Sequence, residues 1–251
     1  MYTTLLFIFN MVVAYLVGSV CSAVIVCRIF NLPDPRTEGS KNPGATNVMR
    51  LAGKKYALIV LVADMLKGLL PVLLAKMLGA GSVTVAFTCF AAVIGHMFPV
   101  FFDFKGGKGV ATTIGALLGF HFMLGVMLIA TWLLVANFTR YSSLASIIAV
   151  VLTPFYSLFA LGSVDAFLPL SFIAIFVLFK HRNNITRLLD GNEPKLHFKR
   201  NMSKKGFIDE DLLSFEEEKE AVSVAPPKAK PKAAPRKTKP AANKTKKPSR
   251  K

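Results

Sequence analysis

Long apolar blocks separated by short, basic, glycine-rich loops are what most constrain this chain. Two of these loops, Gly39-Ser-Lys-Asn-Pro-Gly-Ala-Thr-Asn47 and Phe104-Lys-Gly-Gly-Lys-Gly109, are wedged between segments too apolar to face water. Backbone groups inside lipid must be satisfied within their own segment, so each block is expected to be a helix. The loops are then confined to the membrane surface. Small residues there expose backbone N–H groups, and Lys41, Arg50, Lys105 and Lys108 add full charges, a combination suited to a phosphate held near lipid depth.

Composition supports a polytopic membrane protein: 53% of the 251 residues are hydrophobic and the mean hydropathy is +0.49. The net charge of +17 would suit a nucleic-acid binder, but residues 221–251 hold 11 of the 31 Lys and Arg and no acid. Residues 1–220 carry only 20 basic against 14 acidic side chains. The Ala/Pro/Lys-rich tail has little to bury and is expected to be disordered, attracted to anionic lipid rather than to nucleic acid. Between it and the membrane part, residues 197–220 read as a polar linker. Cys21, Cys27 and Cys89 lie in apolar segments without metal-ligand or disulfide spacing. The first apolar run lacks a basic start and a cleavage pattern, so it reads as a retained span.

Apolar runs bounded by charge or Gly/Pro place spans near 4–30, 56–78, 83–102, 144–161 and 166–180, with a further stretch at 110–138. That stretch is long for one span and short for two of ordinary length, about 20 residues each. The positive-inside rule puts the loops 31–55 and 103–108 and the basic region from His181 onward in the cytoplasm. These placements agree only if 110–138 crosses twice. The prediction is therefore an all-α protein of seven spans, N-terminus outside and C-terminus inside, with two short helices turning near 119–122. Short spans put their ends deep, which would lower Lys108 and Arg140 beneath the headgroups. Asp64 and Lys67, one turn apart in an apolar span, are expected to pair with each other or with a neighbouring helix.

Four polar constellations could carry chemistry. In the first loop Ser40, Lys41, Asn42, Thr46 and Asn47 precede Arg50; a helix starting at Gly44 or Ala45 would put Asn47 and Arg50 on one face, with the guanidinium one turn from its positive end. The second loop lacks the spacing of a nucleotide-binding P-loop, but two glycines between Lys105 and Lys108 favour anion binding over simple topology anchoring. The third is Arg140-Tyr-Ser-Ser-Leu-Ala-Ser146. In the fourth, His181-Arg-Asn-Asn-Ile-Thr-Arg187, His181 and Asn184 share a face if the helix continues. His96 has a weaker case, near the end of its span. No nucleophilic triad, paired carboxylate site or metal cluster emerges, so positioning and electrostatics must do the work. A transporter of phosphorylated solutes would be expected to carry polar groups along its spans, whereas these cluster on one side.

Taken in order, Gly18-Ser19-Val20, the first loop through Arg50, Ala63-Asp-Met-Leu-Lys-Gly68, His96-Met-Phe-Pro99, Phe104-Lys-Gly-Gly-Lys-Gly-Val-Ala-Thr112, the Arg140 motif and the His181 motif resemble the bacterial acyl-phosphate:glycerol-3-phosphate acyltransferases, the PlsY family. The resemblance runs from about Gly18 to Lys195. It implies a seven-span inner-membrane enzyme that moves a fatty acyl group from acyl phosphate to the 1-hydroxyl of glycerol 3-phosphate, giving lysophosphatidic acid and phosphate. It implies no cofactor, and a soluble acyl phosphate synthase as partner. By the same resemblance Ser40, Arg50 and Lys108 bind substrate phosphate, Lys41, Asn42, Thr46 and Asn47 shape that loop, and His181 and Asn184 orient the acceptor. Lys105 and Arg140 belong to the same basic motifs, and Ser143 and Ser146 lie near the donor. A substrate phosphate takes the hydroxyl proton in the family mechanism, with His181 the alternative base. Two departures stand out: Cys21 where the family usually has proline, and Lys41 where it usually has glycine.

Overall fold

The computed structural model describes residues 1–196; the expected linker and basic tail lie outside them. All regular structure in the described residues is helical. The first span is α1 (Tyr2–Gly18) and α2 (Ser22–Ile29), separated by a short break at Ser19–Cys21 and together 28 residues long. Cys21 starts α2 with φ −86° and ψ 86°, so the break survives without a proline. A loop leads to α3 (Ala45–Ala52), followed by α4 (Lys54–Met77) and α5 (Ser82–Met97), the last extended by a 3₁₀ turn at Val100–Phe102. Then come α6 (Val110–Phe120), α7 (Phe122–Thr139), α8 (Ser142–Val151), α9 (Thr153–Leu161), α10 (Phe167–Lys180) and α11 (Arg182–Leu189).

Four of these segments are long and apolar enough to cross a membrane, and α8 with α9, bent by 41°, makes a fifth if the pair is counted as one span. The stretch 110–138 does break, at His121, whose φ of −150° and ψ of 114° are extended. A Cβ placed on Gly125 would lie 2.8 Å from the backbone nitrogen of Leu118. Seven residues along one helix span about 10 Å, so the chain folds back on itself at His121. The two halves are unequal, contrary to the expectation of two short helices: α6 has 11 residues and α7 has 18. At about 1.5 Å per residue α6 is only about 16 Å long. Lys76 at the end of α4 donates to the Gly119 and Phe120 carbonyls at 3.2 Å each, closing the C-terminus of α6 where no further turn can.

Lipid offers no hydrophobic drive to pack helices, so close approach has to come from small residues. On α4 and α6, a Cβ at Gly68 would strike the Thr112 carbonyl and one at Gly115 the Met65 backbone. On α1 and α5, Gly18 meets the Ala92 carbonyl and Gly95 the Tyr15 carbonyl in the same way. Around these seams lies a core that includes Val72, Val93, Met97, Leu117, Leu124, Leu170 and Ile173, all fully buried. A second cluster of Ala23, Val26, Cys27, Val48 and Val60 seats α3 against α2 and α4. The three cysteines are buried free thiols.

Asp64 and Lys67 pair as expected, N to O 2.7 Å, with side chains 2% and 6% exposed. Lys67 also donates at 2.8 Å to the Val20 carbonyl, which the α1–α2 break leaves without a helical partner. A charge pair thus fastens α4 to the broken first span.

The α4–α6 seam is testable. Gly115→Val would force a branched side chain into the Met65 backbone, an overpacking cost of about 2 kcal/mol, which should lower the melting temperature in detergent by roughly 4–8 °C. Gly119→Ala, whose nearest foreign atom is the mobile Leu69 side chain at 3.0 Å, should change it far less. Equal effects would mean that the seam is not tight.

Candidate functional site

The four polar constellations converge on one cavity of about 590 Å³. Its first wall is the loop before α3. Asn47, 1% exposed, is wholly occupied there: its Oδ1 accepts the Ser40 N–H at 2.8 Å, and its Nδ2 donates to the Pro35 and Glu38 carbonyls at 3.0 and 3.1 Å. Asn47 therefore holds the loop in shape, and Ser40, Lys41, Asn42 and Thr46 are displayed around the cavity by it. Lys41 adopts φ 57°, the left-handed region that favours glycine, so the departure from the family's usual residue falls where glycine would be least strained. Arg50 lines the cavity from the last turn of α3 rather than near its positive end. There the guanidinium faces the negative end of the helix dipole, so its own charge is what it offers a phosphate.

The second loop is built differently from a free phosphate cradle. Gly107 donates its N–H to the His96 carbonyl at 3.2 Å, and side chains at Gly106 or Gly107 would collide with that carbonyl or with the His96 ring. The glycines let this loop lie flat on the end of α5, and Lys108 emerges from it into the cavity, where its Nζ donates to Asn184 Oδ1. Lys105 is exposed and does not line the cavity. Burial pushes the Lys108 ammonium down to about 8, with neighbouring Glu193 partly opposing the fall and Arg187 and Arg50 adding to it.

Ser143 and Ser146 line the cavity from the first turns of α8; the Ser146 hydroxyl donates to the Ser142 carbonyl at 2.8 Å and accepts from Trp132 Nε1 at 3.0 Å. Arg140 lies outside it: the residue caps α7 at φ 62°, its side chain is exposed, and its carbonyl accepts the Leu196 N–H at 2.6 Å. His181 is 2% exposed at the α10–α11 junction. Its Nδ1 lies 2.8 Å from the Val177 carbonyl, which can only accept, so Nδ1 carries the proton and Nε2 is left as the ring's acceptor. Burial, then the Lys108 charge, push the imidazole down to about 4, leaving it neutral at pH 7.

Several lining residues lie outside the expected set. Glu193 accepts from Asn184 Nδ2 at 2.7 Å and from Arg187 Nε at 2.8 Å. Burial alone would raise its carboxyl, but the neighbouring Ser143 hydroxyl and then these donors hold it below the usual carboxylate range. Asp64, His96, Lys180 and Trp132 also line the cavity. The His181 motif, extended a few residues further, contains the acid nearest to it in sequence apart from Asp190; the others gave no local signal. Six Lys and Arg side chains face two carboxylates, and Leu61, Met65, Ile114, Ile129 and Leu133 form an apolar wall. Among the described residues no group of His, Cys, Asp and Glu could hold a metal ion.

Comparison with known proteins places the chain in a family. A family model described as glycerol-3-phosphate acyltransferase matches residues 8–191. The glycerol-3-phosphate acyltransferase of Legionella pneumophila strain Paris is 58% identical over 242 residues, 90% of this chain and 87% of the relative. That of strain Corby is 68% identical over 194 residues, 77% and 70% of the two chains. The crystal structure of PlsY (YgiH), an integral membrane glycerol 3-phosphate acyltransferase, in its glycerol 3-phosphate form superposes with a TM-score of 0.72 at 39% identity, covering 76% of this chain and 96% of that one. Its lysophosphatidic acid form gives 0.70 at 38% identity, covering 76% and 95%. On these matches the chain, an integral membrane acyltransferase, belongs to the glycerol-3-phosphate acyltransferase family of PlsY.

Proposed function

We propose that this protein transfers a fatty acyl group from acyl phosphate to the 1-hydroxyl of sn-glycerol 3-phosphate, releasing lysophosphatidic acid and inorganic phosphate, as the first acylation of phospholipid synthesis. The observation that carries this reading is one cavity lined both by six Lys and Arg side chains and by a set of apolar ones. A phosphorylated acceptor fits the first, and an acyl chain fits the second. The apolar wall includes Leu133, 56% exposed, so a chain can reach it sideways from lipid.

Ser40, Arg50 and Lys108 bind substrate phosphate in this reading, with Lys41, Asn42 and Thr46 bordering them. Ser143 and Ser146 stand by the donor, and Asn184 and His181 orient the acceptor hydroxyl. An acyl phosphate is a mixed anhydride: the 1-hydroxyl oxygen bonds to the carbonyl carbon, the carbon–oxygen bond to phosphate breaks, and the electron pair leaves with phosphate. Lys108 stabilises the charge that gathers there, in a site dry enough for one cation to matter. The proton goes to a substrate phosphate. His181 is too weak a base, held near 4, whereas a phosphate monoester has a second pKa of about 6. In this reading the chain crosses seven times, with α6 and α10 as short spans, the cavity on the cytoplasmic side of the inner membrane and the N-terminus outside. A soluble acyl phosphate synthase would then meet this face, and the basic tail an anionic leaflet.

Purified protein is expected to form lysophosphatidic acid from glycerol 3-phosphate with acyl phosphate and not with acyl-CoA or acyl carrier protein thioesters. Lys108→Ala should lower kcat/KM by about a hundredfold, and equal activity with a thioester donor would overturn the donor assignment.

The pH profile has a defined sign. Lys108 is a cation below about 8, so phosphate binding by the free enzyme weakens as pH rises through that value. kcat/KM should fall on the alkaline side of about pH 8, and Lys108→Arg, with a guanidinium pKa above about 12, should abolish that limb whatever activity it retains. An alkaline limb unmoved in Lys108→Arg would assign the titration to another group.

A further inference from the structure

Asp64, Lys67 and His96 form a charged cluster between α4 and α5 that no step above uses. His96 Nδ1 stands 3.6 Å from the same Asp64 oxygen that pairs with Lys67, and the His96 side chain is 6% exposed. Burying charge at this depth is costly, so what the cluster braces matters. The Asp64 and His96 side chains reach the cavity lining, but the closest partner of His96 on its other side is the second basic loop. Its carbonyl takes the Gly107 N–H at 3.2 Å, and its Nε2 lies where a Cβ on Gly107 would be.

The segment that carries His96 is itself pinned. Lys180 donates to the Met97 carbonyl at 2.7 Å and stands 4.2 Å over the Phe98 ring, and Tyr15 donates its hydroxyl to the Phe98 carbonyl at 2.9 Å. Helices α1, α4 and α10 therefore hold residues 96–98 rigid, and the loop rests on them. Lys108 is the next residue after Gly107. Its flexible four-carbon stem gives its ammonium no position of its own, so the backbone beneath must supply one.

We propose that His96, oriented by the Asp64–Lys67 pair, is a positioning residue that holds residues 104–109 against α5 and so sets Lys108 at the cavity. The proposal rests on the reading of Lys108 as a phosphate ligand. One His96 ring nitrogen stands 3.6 Å from Asp64 and the other is packed against Gly107. Its contribution is geometric, where a displacement of about 1 Å can cost up to a hundredfold.

The test uses the full-length protein in lipid nanodiscs, comparing His96→Ala and His96→Asn by amide hydrogen exchange over residues 104–109 and by calorimetric affinity for glycerol 3-phosphate. His96→Ala should speed loop exchange while leaving α7 unchanged, weaken glycerol 3-phosphate binding by about tenfold, and raise KM more than it lowers kcat. His96→Asn, which keeps a polar group beside Asp64, should recover most of both effects. Unchanged loop exchange in His96→Ala overturns the proposal, and so does faster exchange with unchanged affinity. Should His96→Ala fail to fold, Gly107→Ala in the wild-type background presses on the ring from the loop side and must give the same paired signature, or the proposal fails. Lys108→Ala binding glycerol 3-phosphate as tightly as wild type would instead count against the phosphate reading and leave the exchange result standing.

Discussion

The backbone contact between α4 and α6 at Gly68 and Gly115 governs where everything else can be. It lets an eleven-residue helix lie directly against a long one, and Lys108 sits two residues before that helix begins. A helix of about 16 Å covers only part of a hydrocarbon core of about 30 Å. One end of α6 is fixed by Lys76 at the Gly119 and Phe120 carbonyls. The other end delivers its lysine into the cavity beside Asn184, instead of into bulk water. The hairpin at His121 then sends α7 back the full distance, bringing Trp132 and α8 to the opposite wall.

Depth decides the electrostatics. A lysine in water would hold its proton far above neutral pH and would be screened by salt; here burial brings it to about 8 and strengthens its hold on any anion that enters. Glu193 offsets part of that charge, and Asn184 links the two, donating to Glu193 while accepting from Lys108. His181 feels the same burial and the same cation and is kept neutral. Two groups that look alike as basic residues are thus driven to different tasks, one to carry charge and the other to accept a hydrogen bond.

Much of this was legible in the sequence because lipid leaves so few options. Apolar blocks had to be helices, and the expectation that the basic loops share one side called for a break in 110–138, which falls at His121. The Asp64–Lys67 pair followed from the cost of a lone charge. What sequence could not give was which polar atoms are already spent. Asn47 and Arg50 are both polar and three residues apart, yet Asn47 is consumed by the loop while Arg50 stays available, a distinction made by hydrogen bonds to Pro35, Glu38 and Ser40. The glycines of the second loop read as an anion cradle but answer first to the His96 ring and carbonyl. Lys105 and Arg140 share motifs with cavity residues and still lie outside the cavity, exposed. The contribution of Glu193 depends on the chain folding back after α11, which no local pattern announces.

The central claim is that a desolvated Lys108, together with Arg50, forms the phosphate end of an acyl-transfer cavity. An experimental structure of this protein with glycerol 3-phosphate bound tests it most directly. The account predicts a phosphate oxygen at about 2.8 Å from Lys108 Nζ, with the Arg50 guanidinium on the same phosphate and the 1-hydroxyl directed toward the apolar wall. A phosphate bound with Lys108 still turned only to Asn184 and out of reach of the ligand would contradict it.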